Sequence, residues 1–387
     1  MIILGSSGSI GVNALAIAAR YKLPIEVLGV GKNIALLNAQ ILQFRPKAVI
    51  IADSNDKSLI TSEFKGKIYT GNIGILQAII ESQSKLVINA LVGFIGLEPT
   101  LCAINCGKKV ALANKESLVV GGDCIDMEYI IPIDSEHFSL SYLLNFNKSP
   151  RPFRNLYITA SGGAFRDTPL ETIPQQSATN ALKHPNWKMG KKITIDSATM
   201  VNKLFEILEA YWLFGSKNID AFIERNSHIH GLVEFLDGSV VAHLAHTNMQ
   251  LPIAYAICFG LGLQEQFLRD FGECKQKSKK NSIKTCDSII ERLNFQNINY
   301  KLQNIDPKRY PLWNLKNTLL ENPKLGLVLN ASNEVAVEAF LQDSIVFGRI
   351  SEIIQSALEA FKNPNFNDMD SIRTLDLEVR EYARKLL

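Results

Sequence analysis

The chain opens MIILGSSGSIG, residues 1–11, and the reading of this stretch decides the fold. Residues 1–4 are apolar and read as a strand. Gly5, Gly8 and Gly11 then follow at intervals of three. The usual dinucleotide fingerprint is G-x-G-x-x-G, and this is G-x-x-G-x-x-G. A strand, a glycine turn and a helix nevertheless gather unpaired backbone N–H groups and a positive helix end at one point, which is an anion site. Gly5 permits the sharp turn, Gly8 lets a pyrophosphate approach the backbone, and Gly11 lets the helix pack on the strand. Ser7 and Ser9 add hydroxyl donors.

Outward from this turn, residues 1–133 alternate apolar runs with helical patterns. IEVLGVG (25–31), AVIIA (48–52), LVINALVG (86–93) and KKVALAN (108–114) are short and β-branched, as strands buried on both faces are. Helical segments run through Ala14, Ile17 and Ala18, and through Leu36, Ile41 and Leu42. The order implies an α/β fold with an N-terminal, Rossmann-like doubly wound parallel sheet. Residues 134–271 read as a central α+β catalytic domain with a largely antiparallel sheet. NLYITASGGAF (155–165) is a strand entering a glycine turn. KHPNWKMGKK (183–192) is a loop, and KITIDSATM (192–200) is a strand running into a helix that begins near Ser197 and stops at Gly215. IHGLVEFLDGSVVAHLAH (229–246) is a hairpin with Asp237-Gly238 as a two-residue turn. His228, His230 and His243 share a face in that register, without a carboxylate or cysteine placed to complete a zinc site. Residues 272–307 read as a linker, its Lys-rich part (272–286) a solvated surface loop. Residues 308–387 form a C-terminal helical domain.

The 387 residues are too many for one compact core. With 47% hydrophobic and 20% charged residues and a net charge of +3, the chain gives no case for a nucleic-acid or membrane partner. No transmembrane run stands out, and no targeting segment precedes the first strand, so a cytoplasmic protein is expected. The six cysteines form no C-x-x-C pair and read as reduced thiols.

The second strand bears on the nucleotide. NAD-binding folds place Asp or Glu about 20 residues on, against the ribose 2′-hydroxyl. Here GVGKN (29–33) offers Lys32 and Asn33, which suit a 2′-phosphate and favour NADPH. Three further stretches concentrate polar residues. ALANKESLV (111–119) sets Asn114, Lys115 and Glu116 at the carboxyl end of a strand, where open α/β sheets bind ligands. PIDSEH (132–137) holds Asp134 and Glu136, which on an extended chain point the same way and suit a hard divalent cation. On the helix after SATM, Asn202, Lys203 and Glu206 share a face. Ser161, Ser197, Asn202 and Lys203 are candidate phosphate donors, and His184 stands beside Trp187 and Met189 in a lid. Each stretch also has a plain structural reading: a helix start at 114–117, a turn cap at Asp134, a solvated helix face at 202–206.

Taken together, GSSGSIG, ANKES, PIDSEH, SGGAFRD, HPNWKMGKKITIDSATMVNKLFE and NASNEVAV resemble the 1-deoxy-D-xylulose 5-phosphate reductoisomerase family, from residue 1 to the C-terminus. The resemblance implies an NADPH-dependent oxidoreductase of the non-mevalonate isoprenoid pathway that uses Mg²⁺ or Mn²⁺ on a small phosphorylated sugar. It implies a cytoplasmic homodimer. By motif match Asp134, Glu136 and Glu206 become metal ligands, and with Lys115 and His184 they form the catalytic set. Ser135, Ser161, Ser197, Asn202 and Lys203 become further substrate contacts. Ser7, Gly8, Ser9 and Ile10, then Gly31, Lys32 and Asn33, and finally Asn114, Glu116 and Gly190 become NADPH contacts. The chain departs from the family at Ser7, where threonine is common, at Ala164, where proline is usual, and over 257–306, which is longer and Lys-rich. Two other classes stay open at this stage. One is an NADP-dependent semialdehyde or homoserine dehydrogenase, which in the first case needs a nucleophilic cysteine. The other is a non-catalytic NADPH sensor, which leaves the three carboxylates without a role.

Overall fold

A computed structural model describes residues 1–145, 152–187, 189–265, 267, 293–296 and 298–387. The Lys-rich stretch 272–286, with Cys274 and Cys286, lies outside the described residues.

The first 133 residues form a seven-stranded, all-parallel sheet in the order β4-β3-β2-β1-β5-β6-β7. The strands are β1 (Ile2–Leu4), β2 (Val27–Gly29), β3 (Ala48–Ile51), β4 (Lys67–Thr70), β5 (Leu86–Asn89), β6 (Lys109–Leu112) and β7 (Ile130–Pro132). Between them lie α1 (Ser9–Arg20), α2 (Ile34–Phe44), α3 (Gly71–Glu81), α4 (Leu97–Asn105) and α5 (Lys115–Gly121). The two edge strands β4 and β7 were not singled out in the sequence; β4 is half exposed and lacks a buried apolar run. Strand order reverses between β1 and β5, so the crevice at their carboxyl ends is the natural ligand position. The glycine turn sits in that crevice. Gly5 has φ +81°, and a Cβ there would lie 2.5 Å from the carbonyl oxygen of Ala90, just past β5. A Cβ on Gly11 would lie 2.3 Å from the Gly5 oxygen, so α1 seats directly on the turn.

Successive residues of β1 serve different cores. Ile2 and Leu4 face a core that runs on through the catalytic region into the C-terminal helices, while Ile3 faces a second one with α1 and α2. The second core is completed by α10 (Gln250–Gly260), from far along the chain. This helix packs against α1, β6 and β7. Its buried Ile253 and Ile257 each contribute about 1.5–3 kcal/mol.

The second sheet has the order β11-β10-β8-β9-β12. Its strands are β8 (Phe153–Ala160), β9 (Ile219–Glu224), β10 (Ile229–Phe235), β11 (Val240–Leu244) and β12 (Leu302–Asn304). Only β8 and β9 run parallel. Strand β12 comes from the segment read as linker. The hairpin β10–β11 differs in its turn: Phe235 N–H bonds Ser239 and Gly238 N–H bonds Phe235, giving a three-residue loop, Leu236–Gly238, with Gly238 at φ +83°. A bulge between Ile229 and Gly231 shifts the register again. His230 and His243 rings then lie 6.2 Å apart, while His228 faces His246 at 5.2 Å.

The helices of this region are α6 (Ser135–Asn145), α7 (Ala178–Ala181), α8 (Lys191–Thr199) and α9 (Val201–Phe214). The stretch 192–200, expected to enter as a strand, is helical throughout α8. Its Thr and Ile residues favour strands intrinsically, but tertiary partners decide otherwise. Lys192 pairs with Asp196 one turn on, the Thr194 hydroxyl bonds the Gly190 carbonyl, and buried Asp196 is bonded from another helix. Met200, at φ +70°, separates α8 from α9. Ser197 therefore stands in the last turn of α8, not at a helix N-terminus. The C-terminal residues are helical as read: α11 (Lys316–Glu321), α12 (Leu325–Leu341), α13 (Phe347–Ala360) and α14 (Met369–Arg384).

Candidate active site

A cavity of about 230 Å³ opens between the two sheets. Its walls come from the first turns of α1, α5 and α6, the end of β8, the 184–190 loop, and α8 and α9. Of the residues singled out in the sequence, Ser9, Ile10, Lys115, Asp134, Ser135, Glu136, Ser161 and His184 line it. So do Gly190, Ser197, Asn202, Lys203 and Glu206.

The carboxylates of Asp134, Glu136 and Glu206 converge, each with an oxygen within 4.8 Å of the others. The extended geometry expected for residues 134–136 is not found. Asp134 instead caps α6, accepting from the N–H groups of Glu136 and His137 at 3.1 and 3.4 Å, and Glu136 lies in the first turn. The plain reading and the chemical one thus hold together: Asp134 caps with Oδ1 and turns Oδ2 to the cavity. Two ammonium groups balance the cluster. Lys115 Nζ lies 3.0 Å from Asp134, 3.0 Å from Glu206 and 2.9 Å from the Asn202 carbonyl oxygen. Lys203 Nζ bonds Glu206 and lies 3.5 Å from Glu136.

Burial opposes charge on Asp134, Glu136, Lys115 and Lys203, so their neighbours decide. Burial pushes Asp134 up, but Lys115 and His137 outweigh it and hold the carboxyl well below its usual range. Burial raises Glu136, with Glu206 and Asp134 adding repulsion that Lys203 does not offset. Lys115 is held charged, against burial, by Asp134 and Glu206. A trio of hard oxygen donors without thiol or imidazole fits Mg²⁺ or Mn²⁺.

Behind the trio lies a pair the sequence reading missed. His137 is fully buried, with Nδ1 3.1 Å from Asp134 and 3.6 Å from Glu209, an electrostatic contact rather than an aligned hydrogen bond. Its Nε2 donates to the Glu206 carbonyl at 2.8 Å. Burial disfavours its charge, yet Glu209 and Asp134 raise it to about 9. The signal was available: His137 and Glu209 each stand three residues beyond a ligand candidate, on the same helix face.

At the other end, His184 Nδ1 accepts from the N–H groups of Asn186 and Trp187 at 3.2 and 2.9 Å. The ring proton is therefore on Nε2, which donates to Ser161 Oγ at 2.9 Å. Asn186 ties the loop down onto the Arg225 carbonyl and Ser227 Oγ. Arg166, also missed, bonds the Ser161 and Arg225 carbonyls. Trp187 and Met189 contribute apolar wall.

Burial lowers His184 to about 4, helped by Arg166, and lowers His230 and His243 to about 4 as well. Unfolded, these rings take up protons near 6.5, so between pH 6.5 and 4 the unfolded chain binds more protons. The stabilising contribution is complete above pH 6.5 and is lost on acidification through about 4. His243→Gln removes one of the three, and should lower the slope of melting temperature against pH in that window, where the raised carboxyls of Glu136 and Glu209 act in the opposite sense. Thermal unfolding at pH 4.5, 5.5 and 6.5 reads this; an unchanged slope would contradict it.

On the dinucleotide side, Gly8 is the N-cap of α1, Ser7 is half-buried and Ser9 exposed. The neighbouring Ser6, fully buried, bonds Gln40 of α2 in both directions and fixes the turn from beneath. Gly31 has open space around it, Lys32 is exposed, and Asn33 caps α2 through Leu36 N–H. Ser7, Gly8, Gly31, Lys32 and Asn33 share the carboxyl edge of the sheet but lie outside the cavity lining, which Ser9 and Ile10 enter. Asn114 and Glu116 are turned inward. Asn114 caps α5 and donates to the Leu91 and Gly93 carbonyls, and Glu116 pairs with Lys192. Cys124 and Cys258 do not line the cavity, so neither thiol is placed for semialdehyde chemistry.

Residues 1–122 match the family model described as 1-deoxy-D-xylulose 5-phosphate reductoisomerase, and residues 130–214 match that of its C-terminal domain. Residues 244–382 match the DXP reductoisomerase C-terminal domain. A protein of that name from Wolinella succinogenes is 52% identical over 386 residues, covering 100% of both chains. One from Helicobacter pylori strain Shi470 is 53% identical over 384 residues, covering 98% of each. A crystal structure of DOX-P reductoisomerase with NADPH, fosmidomycin and magnesium is similar at 30% identity and TM-score 0.85, covering 100% of this chain and 97% of that one. The Zymomonas mobilis enzyme with NADPH is similar at 28% identity and TM-score 0.83, covering 100% and 98%.

Proposed function

The chain belongs to the 1-deoxy-D-xylulose 5-phosphate reductoisomerase family, and on that premise we propose how its own residues divide the work. The reaction is the NADPH- and divalent-metal-dependent rearrangement and reduction of 1-deoxy-D-xylulose 5-phosphate to 2-C-methyl-D-erythritol 4-phosphate, a step of isoprenoid synthesis. The observation that carries the assignment of roles is the convergence of Asp134, Glu136 and Glu206 with Lys115 and Lys203 in one cavity beside the glycine turn.

Asp134, Glu136 and Glu206 would hold the cation. When bound, the cation supplies Lewis-acid polarisation of the substrate oxygens, and NADPH supplies the hydride. Lys115, held charged, offers its Nζ to negative charge developing on the substrate. Ser161 and Ser197 line the cavity with hydroxyl donors, and Asn202 and Lys203, held against Glu206, add amide and ammonium donors; together the four suit the phosphate. His184 stays neutral and acts as a hydrogen-bond donor through Nε2, rather than as a cation or a base. Trp187 and Met189 exclude water from the reacting carbons. Ser7, Gly8, Ser9 and Ile10 would take the pyrophosphate at the start of α1. Lys32 and Asn33 would take the 2′-phosphate, with Gly31 leaving room. Asn114 and Glu116 act from beneath, by shaping the edge on which the cofactor lies, and Gly190 acts as the lid hinge.

The test is a coupled assay: NADPH oxidation with 1-deoxy-D-xylulose 5-phosphate, with and without chelator. Turnover is expected only with Mg²⁺ or Mn²⁺ present. Full activity in a metal-free preparation would overturn the reading. A cytoplasmic homodimer is part of the same proposal. The edge strand β11, with Val240 and Val241 exposed, supports pairing with a second copy, and a light-scattering mass of a monomer would count against it.

A further inference from the structure

Helix α12, in the C-terminal region, carries Asn330, Asn333 and Glu334 on one face; both asparagines are fully buried. Asn333 Nδ2 donates to Asp196 Oδ1 at 2.8 Å, across 137 residues of sequence. Asp196, itself 2% exposed, accepts from Lys192 Nζ on its other oxygen at 2.9 Å. Lys192 Nζ reaches Glu116 Oε1 at 3.1 Å and lies over the Phe205 ring. Glu116 Oε2 accepts from Asn114, whose amide also holds the Leu91 and Gly93 carbonyls after β5. A continuous buried chain of polar contacts therefore joins the C-terminal helices to the edge of the first sheet.

None of Asn333, Asp196 or Lys192 lines the cavity. The chain they form nevertheless runs beside residues that do. Ser197 follows Asp196, the lid enters α8 at Gly190, and Lys115 lies between Asn114 and Glu116. Helix α8 has only nine residues and a β-branched centre, so it depends on outside contacts to hold its place. Without the Asn333 amide, Asp196 Oδ1 would be a buried charged acceptor lacking its partner.

We infer that Asn333 is a positioning residue for the reaction: by holding Asp196, and through it Lys192 on Glu116, it fixes α8 and the lid against the first turn of α5. The inference rests on the reading above that Ser197 and the lid meet the substrate. A purely structural Asn333 would lower the melting temperature and leave the kinetics of the folded enzyme alone.

Asn333→Asp sets a second carboxylate against Asp196. In protein shown to be folded by circular dichroism, KM for 1-deoxy-D-xylulose 5-phosphate should rise by roughly tenfold or more, while kcat and the KM for NADPH change less than about threefold. Adding Asp196→Asn reverses the roles: the new amide at 196 donates to the new carboxylate at 333 and offers its oxygen to Lys192. N333D/D196N should bring KM back to within about threefold of the parent. Asn333→Ala removes the donor without adding a charge, and should raise KM in the same direction even if N333D does not fold. An unchanged substrate KM in folded Asn333 variants, or a double variant no better than N333D, overturns the inference. Ser197→Ala, run in parallel, reports separately on the site: if it leaves KM unchanged, the substrate reading of Ser197 fails, whatever Asn333 does.

Discussion

Glu206→Gln lowers kcat/KM by roughly 10²–10³-fold or more, the largest expected loss from a single isosteric change in this chain. Glu206 is the hub of the site. One oxygen takes Lys115 and Asn202, and the other takes Lys203. An amide of the same shape keeps the packing but removes a negative charge, and its N–H₂ faces one of the two ammonium groups. The cation would then be held by two carboxylates instead of three. Mn²⁺ titration by calorimetry should show weaker binding in parallel with the lost turnover. An E206Q enzyme that keeps wild-type turnover and metal affinity would remove Glu206 from the metal set.

Lys115→Met should cost a comparable factor of roughly 10²–10³ in kcat, because Lys115 is the cation that faces both Asp134 and Glu206 beside the reacting end of the cavity. It differs from Glu206→Gln in its effect on stability. Removing one partner from a buried charge cluster leaves the other uncompensated, at about 3–5 kcal/mol. Here two carboxylates are left facing each other, so the metal-free variant should melt well below the parent. Mg²⁺ should recover more of that loss in Lys115→Met than it adds to the parent, since it supplies the missing positive charge. Melting curves with and without Mg²⁺ read this directly. Equal metal-induced shifts in both proteins would show that Lys115 does not balance the acidic cluster.

What could be read from the sequence was whatever local pattern determines. The glycine turn, the short β-branched strands and the helical C-terminus need only neighbouring residues to be recognised. Asp134, Glu136, Asn202, Lys203 and Glu206 were found the same way, because polar residues interrupt runs that would otherwise be core. Long-range partners hid the rest. In the segment 192–200, helical against its local propensity, Asp196 is held by Asn333, far along the chain. Glu116, assigned to the cofactor by resemblance, is occupied by Lys192, 76 residues away. The hairpin turn differs by one residue because Gly238 alone takes the left-handed conformation, and period-two alternation does not reveal that. His137 and Glu209 were missed although they sit inside the quoted motif and on the quoted helix. Their meeting depends on how α6 crosses α9.

The nucleotide-binding sheet also has a history during synthesis. The part of one face over β6 and β7 lacks its cover until α10, ending at Gly260, has left the ribosome, although the last strand ends at Pro132. At about 5–20 residues per second, the apolar side of β6 and β7 waits on the order of ten seconds for this helix, while α1 and α2 already cover β1, β2 and β3. A nascent chain stalled in that interval presents the uncovered β6–β7 side to chaperones, and the dinucleotide half without α10 is not a self-sufficient module.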